Sequence, residues 1–460
     1  MPALEQKVDI MVDMPPPSLS RPAALVPQPV PMTTGTVQTG MPIAPVKPSP
    51  PGTPVPLTTN PRLFGDWGGM LPRLKRVGLI PTATLVTETA ANLNGGTRRD
   101  ATLVWQINTG LTIDLPALAG LPGTVQVTVT KRDGPSLNQS AGLGFLQFPQ
   151  GTFGRGRITR LTSAFYQNRF GPLDIKLGRV SPGDDFNAAR GDFMSLYLVG
   201  SATGHIAPNI WYNFPVSEWG GRIQYSVTAH QSIRAGVYQV TPRNIDVKHG
   251  WYLGTGDHRN TGVLIPFEWQ RLDPFSKRLP GLIKMGAFYS NLRLPDVVND
   301  VNGNIRQVTG LAAVTRRDHT GIFANFRQQL VLPKANGAHA VNIFFNGTWV
   351  SRGTPVNERK IAGGISMTGV VAGRPTDELA LGVAEGRVND RITKMQRTLR
   401  AAALSTEPVR TSEFMTELYY GVDVMHGLVV RPNVQLWIHP GGDARSPAVV
   451  ILGMKTVVAI

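Results

Sequence analysis

Asp184, Asp185, Arg190 and Asp192 fall within nine residues and are followed by Phe193 and Tyr197. Charges of both signs packed this closely can serve catalysis or set a transverse field across a watery passage. Glu413 and Glu417 offer a second pair of carboxylates, spaced i and i+4. They resemble the acid and nucleophile of a glycoside hydrolase. On a strand, however, that spacing separates them by ~13 Å, beyond the ~5–5.5 Å or ~6.5–9.5 Å such enzymes use. Other catalytic signals are missing. The eight histidines include no His-Glu-x-x-His, and Gly142-Leu143-Gly144 and Gly154-Arg155-Gly156 lack the spacing of a phosphate loop. There is no Gly-x-Ser-x-Gly elbow and no cysteine, so thiol nucleophiles, disulfides and Cys-held metals are excluded. The expectation is a protein that is not an enzyme and carries no metal or cofactor.

A larger polar set recurs at alternate positions of apolar runs: Lys176, Arg222, Glu268, Lys284, Glu413, Glu417, Arg431, Asn433 and Gln435. Such residues suit a wet surface that hydrogen-bonds hydroxyl groups weakly and at many points. An Arg fork spans vicinal hydroxyls, and Phe288 and Tyr419 can stack on a pyranose.

The elements that must position them are strands. Val125, Val127 and Val129 alternate with Gln126, Thr128 and Thr130; Phe414, Leu418, Tyr420, Val422 and Val424 alternate with Glu413, Glu417 and Asp423. Period-two alternation means one apolar and one polar face. Sixteen such runs are expected, near 79–91, 102–114, 123–132, 158–169, 172–180, 221–230, 232–241, 258–271, 281–293, 318–332, 338–351, 358–372, 376–389, 411–425, 428–439 and 448–460. Many exceed the ~5–6 residues of an ordinary strand and match the ~9–11 of a tilted membrane strand. Connectors alternate between short (Phe170-Gly171, Gln231, Leu332 to Gly337, Gly373-Arg374-Pro375, His426-Gly427) and long (134–157, 181–220, 242–257, 294–317, 390–410), the habit of bacterial barrels. Trp105, Phe170, Trp269, Trp349 and Trp437 sit near strand ends, as in an interfacial girdle. The segment 181–220 is the expected constriction.

Composition agrees. Charged residues are 17 % of 460, with 50 Gly and 38 Pro, and no apolar stretch reaches the ~18 residues of a membrane helix. Residues 1–61 are proline-rich and hold no Phe, Trp or Tyr; they are expected to form a disordered tail, with no secretory signal visible. The net charge of +16 raises polyanion binding, but groups such as Arg98-Arg99 and Arg155-Arg157-Arg160 are scattered rather than clustered, so no nucleic-acid partner is expected.

Leu63-Phe64-Gly65-Asp66-Trp67-Gly68-Gly69 resembles the start of the carbohydrate-selective porin family (OprB type). Four further stretches resemble it in order: Leu173 to Arg179 with Asp184-Asp185-Phe186; Gly281 to Tyr289; Gly373 to Val383; and Glu417 to Tyr420 with Val430 to Gln435 and Pro440-Gly441-Gly442. The resemblance covers residues 62–460, with a lead-in helix within 62–77. It implies an all-β fold, a sixteen-stranded antiparallel transmembrane β-barrel with short periplasmic turns and long extracellular loops. It also implies an outer-membrane location and passive diffusion of mono- and small oligosaccharides. Expected partners are small sugars, outer-membrane lipid and lipopolysaccharide, and the barrel-insertion machinery, with a monomer or small homo-oligomer as the assembly. Two departures stand out. Ser163 and Gln167 hold places where the family usually carries carboxylates, and the chain ends in Ile460 rather than an aromatic residue. The alternative reading is a soluble or secreted all-β carbohydrate- or polyanion-binding protein.

Overall fold

The computed structural model describes residues 62–154, 156–189, 191–255, 260–276, 278–331 and 339–460. The proline-rich segment 1–61 and Arg190 lie outside these residues.

Strands β1 (Leu79–Asn92), β2 (Ala101–Asp114), β3 (Thr124–Asp133), β4 (Ile158–Phe170), β5 (Leu173–Val180), β6 (Glu218–Ser226), β7 (Gln231–Val240), β8 (Gly262–Leu272) and β9 (Gly281–Ser290) form the first part of the wall. Strands β10 (Leu294–Asp300) and β11 (Ala313–Arg316) form a separate two-stranded sheet. The wall continues with β12 (His319–Val331), β13 (Val341–Val350), β14 (Asn357–Thr368), β15 (Glu378–Val388), β16 (Ser412–Met425), β17 (Leu428–Ile438) and β18 (Val449–Ala459). Sixteen strands thus close into one antiparallel barrel, with β18 pairing back onto β1 through Thr84↔Ala459 to Asn92↔Ile451.

The faces sort as the alternation requires. Across β15, β16, β17 and β18, Leu381, Leu418, Val434 and Leu452 lie side by side in register. They are 37 to 48 % exposed and form part of an apolar outer band. The next positions along, Glu417, Gln435 and Ile451, are fully buried inside. With no water to bond to in hydrocarbon, a wall must satisfy every backbone group internally, and closure removes the free edges. No helix among the described residues is long and apolar enough to cross a membrane.

The two ends differ. One end carries the turns 171–172, 227–230 and 426–427; the other carries the long connections 134–157, 181–217, 241–261, 291–318 and 389–411. Gly427 adopts φ +78°, and a Cβ there would collide with the backbone of Arg62 and Leu63. The chain's entry into the barrel is therefore stacked on the β16–β17 turn, and Leu63 N–H donates to Ala459 O at 2.8 Å. The short helix Met70–Arg76 follows.

Four expectations are corrected. Gln231 opens β7; the turn is 227–230, where Thr228 pairs with Gln231. Trp437 is not in the girdle. It lies on the inward parity of β17, fully buried and stacked on Phe145 at 4.1 Å. Segment 294–317 is not plain loop, because β10 and β11 pair within it. Segment 390–410 opens with the helix Asp390–Ala401. That helix is capped by Asn389, whose side chain accepts from Arg391 N–H, and buries Ile392, Thr393 and Leu399. It locks to the β10–β11 sheet through Asp296, which accepts from Arg391 (2.9 and 3.0 Å) and Arg316 (2.7 Å). Burial works against the Asp296 charge, but Arg391, two backbone N–H groups and Arg316 outweigh it and hold the carboxyl at about 2.

If Leu381, Leu418, Val434 and Leu452 meet lipid, Leu418→Arg at the middle of β16 costs about 2–4 kcal/mol. Urea titration of folding into phosphocholine vesicles measures this, and a cost near zero contradicts the outward assignment.

Candidate functional site: a lumen narrowed by two inward loops

Two long connections, 134–157 and 181–217, turn into the barrel and fill much of its interior. Their backbones are gripped by the inward side chains of the strands, and the grip follows charge. Carboxylates take loop N–H groups. Glu417 accepts from Met194 N–H (2.6 Å) and Ser195 N–H (2.8 Å). Glu413 accepts from Leu146 N–H (3.0 Å), Gly441 N–H (2.7 Å) and the Tyr197 hydroxyl (3.0 Å). Glu268 accepts from Asn187 N–H (2.7 Å), and Glu88 from Thr152 N–H (2.8 Å). Lysines take loop carbonyls. Lys455 donates to Phe193 O (2.8 Å), Lys284 to Ala188 O (3.2 Å) and Lys360 to Leu196 O (3.3 Å). Gln435 donates to Pro149 O at 3.0 Å. Hydrogen bonds to a charged group contribute about 1.5–3 kcal/mol each, so this set specifies one loop conformation.

Apolar packing completes the grip. Segment 193–199 lies against β14 to β16, where Ala362, Ala380, Ala384, Met415 and Tyr419 are buried. A Cβ on Gly382 would sit 2.5 Å from Leu198 Cδ1 and 2.9 Å from Phe193 Cε1, so only a bare backbone admits the loop there. Farther round the wall, on β9 and β12, Trp211 packs edge-on against Phe288 (5.4 Å) and Phe323 (5.8 Å). The interior is therefore partly dry, because these loops bury their own apolar residues against the wall. Phe288 and Tyr419 are covered rather than presented to solute; the Tyr419 hydroxyl donates to Glu378 at 2.7 Å.

The sequence-singled residues fall into three groups. Lys176, Asp185 and Arg222 meet: Asp185 accepts from Lys176 Nζ at 2.7 Å and from Arg222 Nε at 3.2 Å. Arg222 also pairs with Asp174, which accepts from Gln167. Burial opposes the Asp185 charge, yet Lys176 and Arg222 hold it down to about 2. Asp192, Arg431 and Asn433 form a second group. Arg431 Nη2 lies 3.3 Å from Asp192, and Asn433 faces Met194 Sδ at 3.6 Å. The third group, Glu268, Lys284, Glu413, Glu417 and Gln435, holds loops. Asp184 stands apart, exposed although enclosed by the barrel. Confinement by the surrounding protein, followed by the adjacent Asp185 charge, pushes its carboxyl up to about 7; the Lys176 charge offsets part of that rise.

Reasoning from sequence passed over Glu88, Lys360 and Lys455, which do the same work as the glutamates and lysines it singled out. The signal was present, since each sits on the polar parity of an alternating strand. It also passed over Arg327, two residues beyond buried Asn325 on the same face of β12 and exposed.

A closed sixteen-stranded wall, apolar outside and polar inside, with loops folded into its bore, defines an outer-membrane porin. The model of the carbohydrate-selective porin OprB family matches residues 98–459, and the chain belongs to that family. Porin B of Pseudomonas aeruginosa is 33 % identical over 412 residues, covering 85 % of this chain and 90 % of that protein. QuiX of Acinetobacter baylyi is 29 % identical over 405 residues, covering 83 % of this chain and 89 % of that protein. The structure of Pseudomonas putida OprB at high pH superposes with a TM-score of 0.83 at 30 % identity, covering 87 % of this chain and 99 % of that one. The soluble or polyanion-binding alternative is not favoured, and the fold and family are those of a channel.

Two outcomes follow. Glu417→Ala leaves the Met194 and Ser195 N–H groups without an acceptor and weakens the seating of 181–217 by about 1.5–3 kcal/mol. Limited proteolysis of the folded barrel should then cut within that segment, and single-channel conductance should rise; uncut protein of unchanged conductance contradicts the tether. Asp184 is charged above about pH 7 and neutral below it. Cation preference, read from reversal potentials, should therefore fall between pH 8 and pH 6 and become flat in Asp184→Asn. A flat profile in the parent protein removes Asp184 from the conduction path.

Proposed function

We propose that this porin passes neutral monosaccharides and small oligosaccharides by passive diffusion, with weak selectivity set by mixed charges on the narrowed bore. The observation that carries this reading is what stays accessible on the inward side: Asp184, part of Asp192 beside Arg431, and Arg327. Opposite charges facing a shared passage favour solutes that are polar yet uncharged. Hydroxyl groups exchange water for such partners at little net cost, so the solute binds weakly at several points and leaves again. Lys176 and Arg222 add donors near the bore but are largely committed to Asp174 and Asp185. Arg190, the guanidinium singled out beside them, lies outside the described residues, and its place in the constriction is part of this proposal.

The remaining partners follow from the outer face. Lipid meets the apolar band, and the exposed Lys394, Arg397 and Arg400 on the helix Asp390–Ala401 offer cations to anionic lipopolysaccharide headgroups. The barrel closes within one chain, so a monomer suffices for passage whether or not copies associate. The insertion machinery meets the closing strand β18, which ends without an aromatic residue.

Liposome swelling tests the central statement. Vesicles holding the protein should swell in isosmotic glucose much faster than empty vesicles, and faster than in a charged solute of equal size. Swelling no faster than in empty vesicles refutes sugar passage.

A further inference from the structure

A cleft of about 160 Å³ lies beside the bore, between segment 205–210 and the wall formed by β9, β12, β13 and the start of β14. Its lining includes none of Lys176, Asp184, Asp185, Glu413 or Glu417, so it is separate from the charged passage. Ile206, Ile210, Leu294 and Val356 give it an apolar wall, while His205 and Asn357 bring polar atoms to it.

The two histidines at the cleft differ. His319 is fully engaged, with Nε2 on Leu292 O at 2.7 Å and Nδ1 on the Thr354 hydroxyl at 3.3 Å. His205 is engaged on one side only. Its Nδ1 lies 2.8 Å from Lys360 Nζ. With Lys360 Nζ as the donor to Nδ1, the ring proton resides on Nε2. Burial and the neighbouring Lys360 charge push the imidazole well below its ordinary range, which keeps it neutral. His205 is 2 % exposed, and its Nε2 has no protein partner. Asn357 is 6 % exposed, and its Oδ1 has none either. The cleft thus offers one uncharged donor and one uncharged acceptor, each buried and unmatched, beside an aliphatic wall. Leaving such groups unmatched costs about 1–3 kcal/mol each.

The chemistry of an occupant follows. A hydroxyl both donates and accepts and so suits either atom. An ion finds no counter-charge at these two atoms and loses its hydration. A bare sugar offers hydroxyls to these atoms but no large apolar group for the aliphatic wall. We propose that this cleft is a second ligand site that takes a neutral glycoside with an apolar aglycone. The aglycone lies on the Ile206–Ile210–Val356 surface, and sugar hydroxyls meet His205 Nε2–H and Asn357 Oδ1. The site does not depend on which solutes cross the bore.

Calorimetric titration of phenyl β-D-glucoside and methyl β-D-glucoside into the full chain, held in a non-glycosidic detergent such as lauryldimethylamine oxide, tests this. The phenyl glucoside should bind saturably and at least tenfold more tightly than the methyl glucoside. Thr354→Trp, placed on the connection 351–356, should fill the cleft and lower that affinity at least tenfold while leaving glucose conductance in planar bilayers unchanged. His205→Leu, which keeps bulk and removes the donor, should lower it about tenfold. Equal binding of the two glucosides, binding indifferent to Thr354→Trp, or no saturable binding because the cleft holds only water, each overturns the proposal.

Discussion

Everything inside this barrel depends on carboxyl and amino groups of the wall meeting the backbone of the loops. A sixteen-stranded wall encloses more space than its inward side chains fill. Left alone it would be a wide, unselective hole. Glu88, Glu268, Glu413 and Glu417 take loop N–H groups, and Lys284, Lys360 and Lys455 take loop carbonyls. The division is chemical, because a carboxylate only accepts and an ammonium only donates. A loop seated this way has its backbone satisfied where water is scarce, which removes the usual reason for a loop to stay on the surface.

The same arrangement explains why so much of the charge is not available to solute. Glu413 and Glu417 are fully buried, and each holds a different stretch of chain. The pair that looks like a hydrolase couple in sequence is a double latch, with Leu146 and Gly441 on one carboxylate and Met194 and Ser195 on the other. The inward charges left uncovered are the remainder, chiefly Asp184, Asp192 beside Arg431, and Arg327. Selectivity in such a bore is a property of which charges the loops leave uncovered.

Much of this was legible in sequence. Period-two alternation placed the sixteen wall strands to within a few residues at most boundaries, because a lipid-facing strand must alternate along its whole length. It also assigned the right face to Glu417, Arg431 and Gln435. What alternation cannot show is depth. Trp437 reads as an interfacial aromatic from its place near a strand end, but Phe145 arrives from a loop far away in sequence and stacks on it. Phe288 and Tyr419 were likewise on the right face and the wrong side of a loop. The helix Asp390–Ala401 was missed although its signals are local: an Asn cap followed by Ile392, Met395 and Leu399 at helical spacing. Its low apolarity concealed it among loop residues. Gly382 carries no legible reason in sequence; its purpose appears only when Leu198 and Phe193 lie against it.

The chain has no cysteine, which permits a direct measurement of the central claim. Cysteines introduced by Asp192→Cys on the inward loop and Arg431→Cys on β17 can be treated, in the folded barrel, with a short bifunctional methanethiosulfonate. The account predicts efficient intramolecular cross-linking, with a shift in electrophoretic mobility that reductant reverses. If each single cysteine reacts but the pair never links, segment 181–217 does not lie against the inner wall, and the account of a loop-narrowed bore fails.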